Sequence, residues 1–196
     1  MTAESPLVAE ALRLNARYVE EVVIGWGLCP WAAQAWRSGA VARRVLPDPA
    51  AGAGAVLEFI DEIAATPAVS IGLVILPRLE LDAAAFGAFA ERIRRADRAR
   101  RAANAAVPFL VAAFHPAFRA DREAAAEAGT LVPFIRRTPD PTLQLVRVSL
   151  LAGLGGDVST EIARANQTTV TARTPEALDA LLADIRRDRD AVYTRL

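Results

Sequence analysis

Hydrophobic and polar positions along this chain follow two rhythms, and the switches between them divide it into elements. Val8, Ala11, Leu12, Tyr18, Val19, Val22 and Val23 recur at helical spacing, with Glu20 and Glu21 on the other side. Ser5-Pro6 offers an N-cap and a first-turn proline, so a helix is predicted from there to Gly25 and Gly27, where positive φ is tolerated. A short helix over Trp31–Arg37 follows, closed by Ser38-Gly39. Val41–Leu46 then alternates as a strand, and Ala53–Ala65 is helical with Val56, Leu57, Ile60 and Ile63 on one stripe. Val69–Leu76 is almost continuously apolar, the pattern of a strand covered on both faces. Asp82 caps a long helix to about Ala103, with Phe86, Phe89 and Ile93 inward. Pro108–Phe114 reads as a third buried strand.

Further on, Asp121–Ala128 reads as a short helix or a lid-like excursion and Leu131–Arg137 as extended chain. Asp140-Pro141 starts a helix predicted over Thr142–Leu151. Gly153–Gly156 forms a loop, Asp157–Gln167 is helical, and Thr174-Pro175-Glu176 opens a final amphipathic helix to about Tyr193. Strand–helix–strand–helix–strand with short connections predicts an α/β fold: three to four strands, mainly parallel, flanked by helices. A ferredoxin-like α+β sheet is the alternative. The chain is expected to form a single domain over 1–196, with a core over about 7–150 and a helical C-terminal extension over 151–196.

Composition narrows the function. With 196 residues, 53% hydrophobic and 23% charged, the chain has the make-up of a soluble globular protein with one good core. Its formal net charge is zero, which removes the electrostatic footprint of a nucleic-acid or anionic-membrane partner. A single cysteine makes no internal disulfide and fits a reducing cytoplasm. No basic-then-apolar leader and no bilayer-spanning run is present. One cysteine and one histidine also fall short of a usual zinc ligand set.

The candidate chemistry sits where elements meet. Gly25-Trp26-Gly27-Leu28-Cys29-Pro30-Trp31 places Cys29 near the N-cap of a short helix, where backbone N–H groups and the helix dipole favour thiolate. In a parallel sheet Pro47, Pro77-Arg78 and His115-Pro116 all lie at the carboxyl edge, where open α/β sheets bind ligands. Arg136-Arg137-Thr138-Pro139-Asp140-Pro141 precedes an expected helix N-terminus, a good carboxylate or phosphate site, with Arg147 on that same helix. No glycine-rich phosphate loop and no Gly-x-Ser-x-Gly elbow is present.

Three motifs, Gly-Leu-Cys29-Pro-Trp-Ala, Ala-Phe-His115-Pro and Arg137-Thr-Pro-Asp-Pro-Thr-Leu-Gln-Leu-Val-Arg147, in this order and spacing, resemble a bacterial family catalogued as domain of unknown function 1415. The resemblance covers roughly residues 10–150 and implies that Cys29, His115, Arg137 and Arg147 are the residues to watch. The chain departs from the family pattern at Gln144, where a second histidine is expected, and at Val148, where an acid is expected. A specialised member, for instance in secondary metabolism, fits such changes.

Two chemistries fit these residues. The first is a small-molecule enzyme: Cys29 is a nucleophile or redox thiol, His115 its base or acid, and Arg78, Arg136, Arg137, Gln144 and Arg147 hold an acidic substrate. The second is haem binding, with Cys29 or His115 as axial ligand and Trp26, Trp31, Trp36, Phe114 and Phe118 walling an apolar pocket. A non-catalytic binding or scaffold role is the third. The first two require Cys29 and His115 to line one cavity.

Overall fold

The computed structural model describes residues 5–29, 31–48, 50, 52–101, 106–118, 136–152 and 175–196; for 151, 152 and 175 it describes the backbone alone. The first helix, α1 (Pro6–Arg17), continues without a break into a π-helical segment, Tyr18–Ile24. Wider i→i+5 bonds define this segment: the N–H of Gly25 donates to the Glu20 carbonyl and that of Leu28 to the Val23 carbonyl, both at 2.9 Å. Gly25 stays helical, and a Cβ there would meet the Glu21 carbonyl oxygen at 2.5 Å. The left-handed turn falls on Gly27, at φ +63°. Then come α2 (Ala32–Arg37), β1 (Val41–Val45), α3 (Ala53–Ala64), β2 (Ile71–Ile75), α4 (Ala83–Ala99) and β3 (Phe109–Phe114). As expected, Asp82 caps α4, its carboxylate accepting the N–H of Ala85 at 2.7 Å.

The expected helix over Thr142–Leu151 is instead a strand, β4 (Thr142–Arg147), followed by one helical turn, α5 (Val148–Ala152). Leu143 and Leu145 are fully buried while Gln144 and Val146 are half-exposed, and a period of two is the period of a strand. Asp140-Pro141 is therefore not a helix start: the Pro141 carbonyl accepts the N–H of Leu76 at 2.9 Å and extends the sheet. The last element is α6 (Pro175–Tyr193), as expected. The readings of Asp121–Ala128, residues 131–135 of Leu131–Arg137, Gly153–Gly156 and Asp157–Gln167 lie outside the described residues.

The sheet runs β1-β2-β4-β3. β1 and β2 are parallel, with Val41 opposite Ile71; β4 is antiparallel to both neighbours, with Leu73 opposite Gln144 and Phe114 opposite Thr142. The sheet is thus mixed and not mainly parallel, because β4 enters between β2 and β3 in the reverse direction. In this respect it sides with the α+β alternative. β1, β2 and β3 still share one direction, so the residues after them emerge at one edge of the sheet, as the sequence implied.

Both crossover helices, α3 and α4, cover one face. Val56, Phe59, Ile60, Ile63, Phe86, Phe89 and Ile93 pack there on Val74, Phe109, Val111, Leu143 and Leu145. The π segment, α2 and α6 cover the other, where Tyr18, Val22, Leu28, Leu178 and Ile185 pack on Ile71 and Leu73. α6 is tied to the N-terminal helix by Arg13 and Arg17, which pair with Asp184 and Asp188 at 2.5–3.0 Å. Among the described residues no helix is long and apolar enough to cross a membrane.

Candidate functional site

The residues that line a cavity near Cys29 come from both layers. A space of about 50 Å³ opens between the N-terminal helices and the sheet. Cys29 and Ala32 lie on one side, Ile71, Leu73, Gln144, Thr142 and Phe114 on the sheet side, and Asn15, Tyr18, Val19 and Val23 complete the wall. The π segment shapes that wall. Its wider turn stacks residues at close to i+4, and the rows Tyr18–Val22–Trp26 and Val19–Val23 in the sequence already repeat at four. Most of the lining is apolar. The polar groups on it are few: a thiol, a phenol, an indole, two side-chain amides and two threonine hydroxyls.

The electrostatics of this cavity suppress charge. The Cys29 sulfur accepts N–H groups from Trp31 and Ala32, the contact expected of a thiol ahead of a helix. Burial nevertheless dominates and pushes the thiol up, so the expected bias towards thiolate is overturned: Cys29 rests as neutral S–H. Tyr18, only 3% exposed, is pushed above the ordinary phenol range by burial, against the opposing pull of Arg136 and Arg137. Thr138 and Thr142 both donate to the Asp140 carbonyl, at 2.6 and 2.8 Å. Asn15 is 2% exposed, and its Oδ1 has no hydrogen-bond partner.

His115 does not line this cavity. Phe114 turns to the Cys29 face of the sheet. The next residue turns to the opposite one, with Phe109, Val111 and Ala113, and its ring lies 5.6 Å from that of Phe86 on α4. Both ring nitrogens are engaged: Nε2 bonds the Leu81 carbonyl at 2.9 Å, and the N–H of Ala117 donates to Nδ1 at 3.1 Å. A carbonyl can only accept, so Nε2 carries the proton and the imidazole is neutral. Burial lowers its pKa, with the Leu81 bond and Asp82 opposing. To serve as a base for Cys29, or to ligate haem iron, this ring would have to leave both partners and cross the sheet.

The other expected site residues scatter. Arg147 sits at the far end of β4, opposite Phe109, and not on a helix beside Arg137. Its guanidinium donates to the carbonyls of Val69, Ile63 and Thr66 at 2.7–3.0 Å and stacks 4.7 Å from the Phe109 ring, pinning the end of α3 to the sheet. Arg137 pairs with Asp179 of α6 at 2.5 Å and borders a separate cavity of about 260 Å³, with Thr138, Pro116 and Arg186. Arg136 stacks 5.4 Å from the ring of Phe114, which places it behind the Cys29 cavity wall, and burial lowers its pKa. The helix N-terminus expected after Asp140-Pro141 is not there, since β4 follows these arginines; the helix that Arg137 meets is α6, near its N-terminal end. Arg78 is exposed. Trp26 packs in the core, Trp31 is half-buried ahead of α2, and Phe118 donates its N–H to the His115 carbonyl at 3.0 Å. Of the expected residues, Cys29, Phe114, Gln144 and Trp36 share one cavity. Among the described residues no group of three His, Cys, Asp or Glu side chains could hold a metal ion.

Two sets of residues escaped the sequence reading. Asn15 and Tyr18 were signalled by polar atoms on the buried stripe of the first helix. Asp140 was signalled by nothing local. It is 1% exposed, accepts Arg189 Nε at 2.7 Å and Tyr193 hydroxyl at 2.8 Å, and so locks α6 against the start of β4.

Residues 10–180 match the family model described as protein of unknown function (DUF1415). The chain belongs to this family. The match passes residue 150 and reaches into α6, so the family pattern takes in part of the segment expected to be an extension. No curated protein and no solved structure matches the chain.

Proposed function

We propose that this family member binds a small, largely apolar molecule in the cavity between its N-terminal helices and its sheet, with the neutral thiol of Cys29 at the ligand. The observation that carries this reading is the cavity itself: an apolar space holding a few polar groups, walled by a π-helical segment, a local geometry that recurs at functional sites. Of the residues expected to hold an acidic substrate, Gln144 lines the cavity and Arg136 stacks on Phe114 of its wall. The test is labelling of Cys29 by iodoacetamide in the presence of a panel of small apolar acids, amides and alcohols. Ligands are expected to slow labelling, and Ala32→Phe, which fills the space, is expected to abolish that protection. Labelling that no member of the panel slows, in a protein that stays folded, overturns the proposal.

An enzyme reading is second. It is favoured by the Trp31 and Ala32 amides at the Cys29 sulfur, which would stabilise a thiolate once a bound substrate or its own basic group removed the proton. It requires that Cys29→Ser still bind the ligand and fail to turn it over.

A further inference from the structure

We infer that the cavity beside α6 is a second ligand site and takes a small organic carboxylate, with Arg186 on the carboxylate and an apolar floor under the body. It stands apart from the Cys29 cavity, with which it shares only Thr138 among the described lining residues.

This space of about 260 Å³ lies past the end of β3, at the edge where β1 and β2 also finish. One wall is Pro116 after β3 and Arg137 and Pro139 ahead of β4. The N–H of His115 donates to the Arg136 carbonyl at 3.0 Å and holds these two stretches together. The other wall is α6, where Asp179, Leu182 and Arg186 recur at helical spacing and so face the cavity together. Leu182 and Ile185 are buried and form its apolar floor. Arg137 and Asp179 pair at 2.5 Å and are neutral as a unit, so the excess charge of the described lining is that of Arg186. Its neighbours on α6 are matched, Arg187 by Asp184 and Arg189 by Asp140. Arg186 pairs with no carboxylate among the described residues. Burial lowers the pKa of His115, and the field of Arg186 adds to that, as an uncompensated cation does. A guanidinium grips a carboxylate through two parallel N–H donors. With the Asp179 carboxylate close by, an excess charge of one suits a monoanion better than a dianionic phosphate. The space exceeds the roughly 150 Å³ that holds a benzene ring, so the acid carries a body of about that size.

Benzoate and benzamide test this, since they share a shape and differ in charge. Each is titrated at neutral pH and low salt into the full-length, isotope-labelled protein. The backbone amide signals of Leu182 and Ala183 report on this cavity, those of Cys29 and Leu73 on the other. Benzoate is expected to move the first pair and to bind about tenfold more tightly than benzamide, the size of one hydrogen-bonded charge pair. Arg186 is exposed and gives up no ion pair, so Arg186→Gln is expected to fold and to lose the benzoate preference. Arg187→Gln, the charge control one residue along, is expected to keep it. Equal affinities for the two compounds in the unaltered protein overturn the inference. So does a preference that survives Arg186→Gln or disappears in Arg187→Gln. Inorganic phosphate that moves Leu182 and Ala183 as readily as benzoate overturns the choice of an organic monoanion. Shifts confined to Cys29 and Leu73 overturn this site and support the Cys29 cavity as the place where acids bind. If no signal moves, the second site falls, and the Cys29 reading still answers to its own labelling test.

Discussion

The two faces of the sheet are built to different rules. Against α3 and α4 the contact is apolar and tight: Phe86, Ile60, Ile93, Leu143 and Leu145 show essentially no exposed surface. At Gly72 a Cβ would stand 2.6 Å from Ile63 Cδ1. The helices carry regular α geometry there, and side chains fill the space to the backbone. Against the N-terminal helices the same sheet meets a π segment, a thiol, an orphaned amide oxygen and a cavity. One face holds the fold and the other tolerates local imperfection, which is where a ligand site can exist. His115 belongs to the first face and Cys29 to the second. The one-residue step from Phe114 to His115 separates them.

Substitutions can break or sharpen that contrast. The largest effect is expected on the tight face: Phe86→Ala removes a fully buried ring and should destabilise by about 3–5 kcal/mol in chemical denaturation. A loss below 1 kcal/mol would show that this face is no better packed than the other. Arg147→Met next leaves the Ile63, Thr66 and Val69 carbonyls without their guanidinium donor. It should cost about 1–3 kcal/mol while leaving Cys29 labelling rates unchanged. A change in labelling with no loss of stability would return Arg147 to the site.

His115 gives a pH signature. Its folded pKa lies below the ordinary 6.5, so the native state disfavours the proton relative to the unfolded chain. Its contribution is therefore fully present above about pH 6.5 and is lost as pH falls through that value, so the unfolding free energy is expected to be lower at about pH 5.5 than at about pH 7.5. His115→Phe should flatten this dependence. An unchanged pH profile in the variant would show that the imidazole does not couple to folding. Cys29 shifts the other way. Its raised pKa means that native-state labelling at pH 7 should lag behind that of a free thiol and rise only above the usual thiol range. The smallest effect is Cys29→Ser, expected within about 1 kcal/mol because the site is a cavity lining and not close-packed core. A larger loss would place Cys29 among the packing residues.

Much of the fold was legible because its signals are local. The caps and breakers at Asp82, Gly27 and Gly39, and the stripes Val56–Ile63 and Phe86–Ile93, mark helices whose ends the structure reproduces closely. β4 was not legible, because Asp140-Pro141 carries a helix-start signature locally. In fact Asp140 is held by Arg189 and Tyr193 from the other end of the chain. For the site, the sequence pointed to Cys29, Phe114 and Gln144. It missed Asn15 and Tyr18, since a helical stripe does not say which of its polar members faces a void.

By itself the sequence determined which segments up to Phe114 coil and which extend, that β1, β2 and β3 run in one direction, and that the lone thiol stands at a turn before a short helix. These follow from periodicity, glycine and proline, which act over a few residues. Only the tertiary structure decided that β4 enters in reverse, which face of the sheet receives each side chain, and that burial leaves Cys29 neutral. Those outcomes depend on contacts between residues far apart in the chain, such as the Pro141 carbonyl with the N–H of Leu76 and the Asp140 carboxylate with Arg189, and on solvent exclusion that no short stretch of sequence specifies.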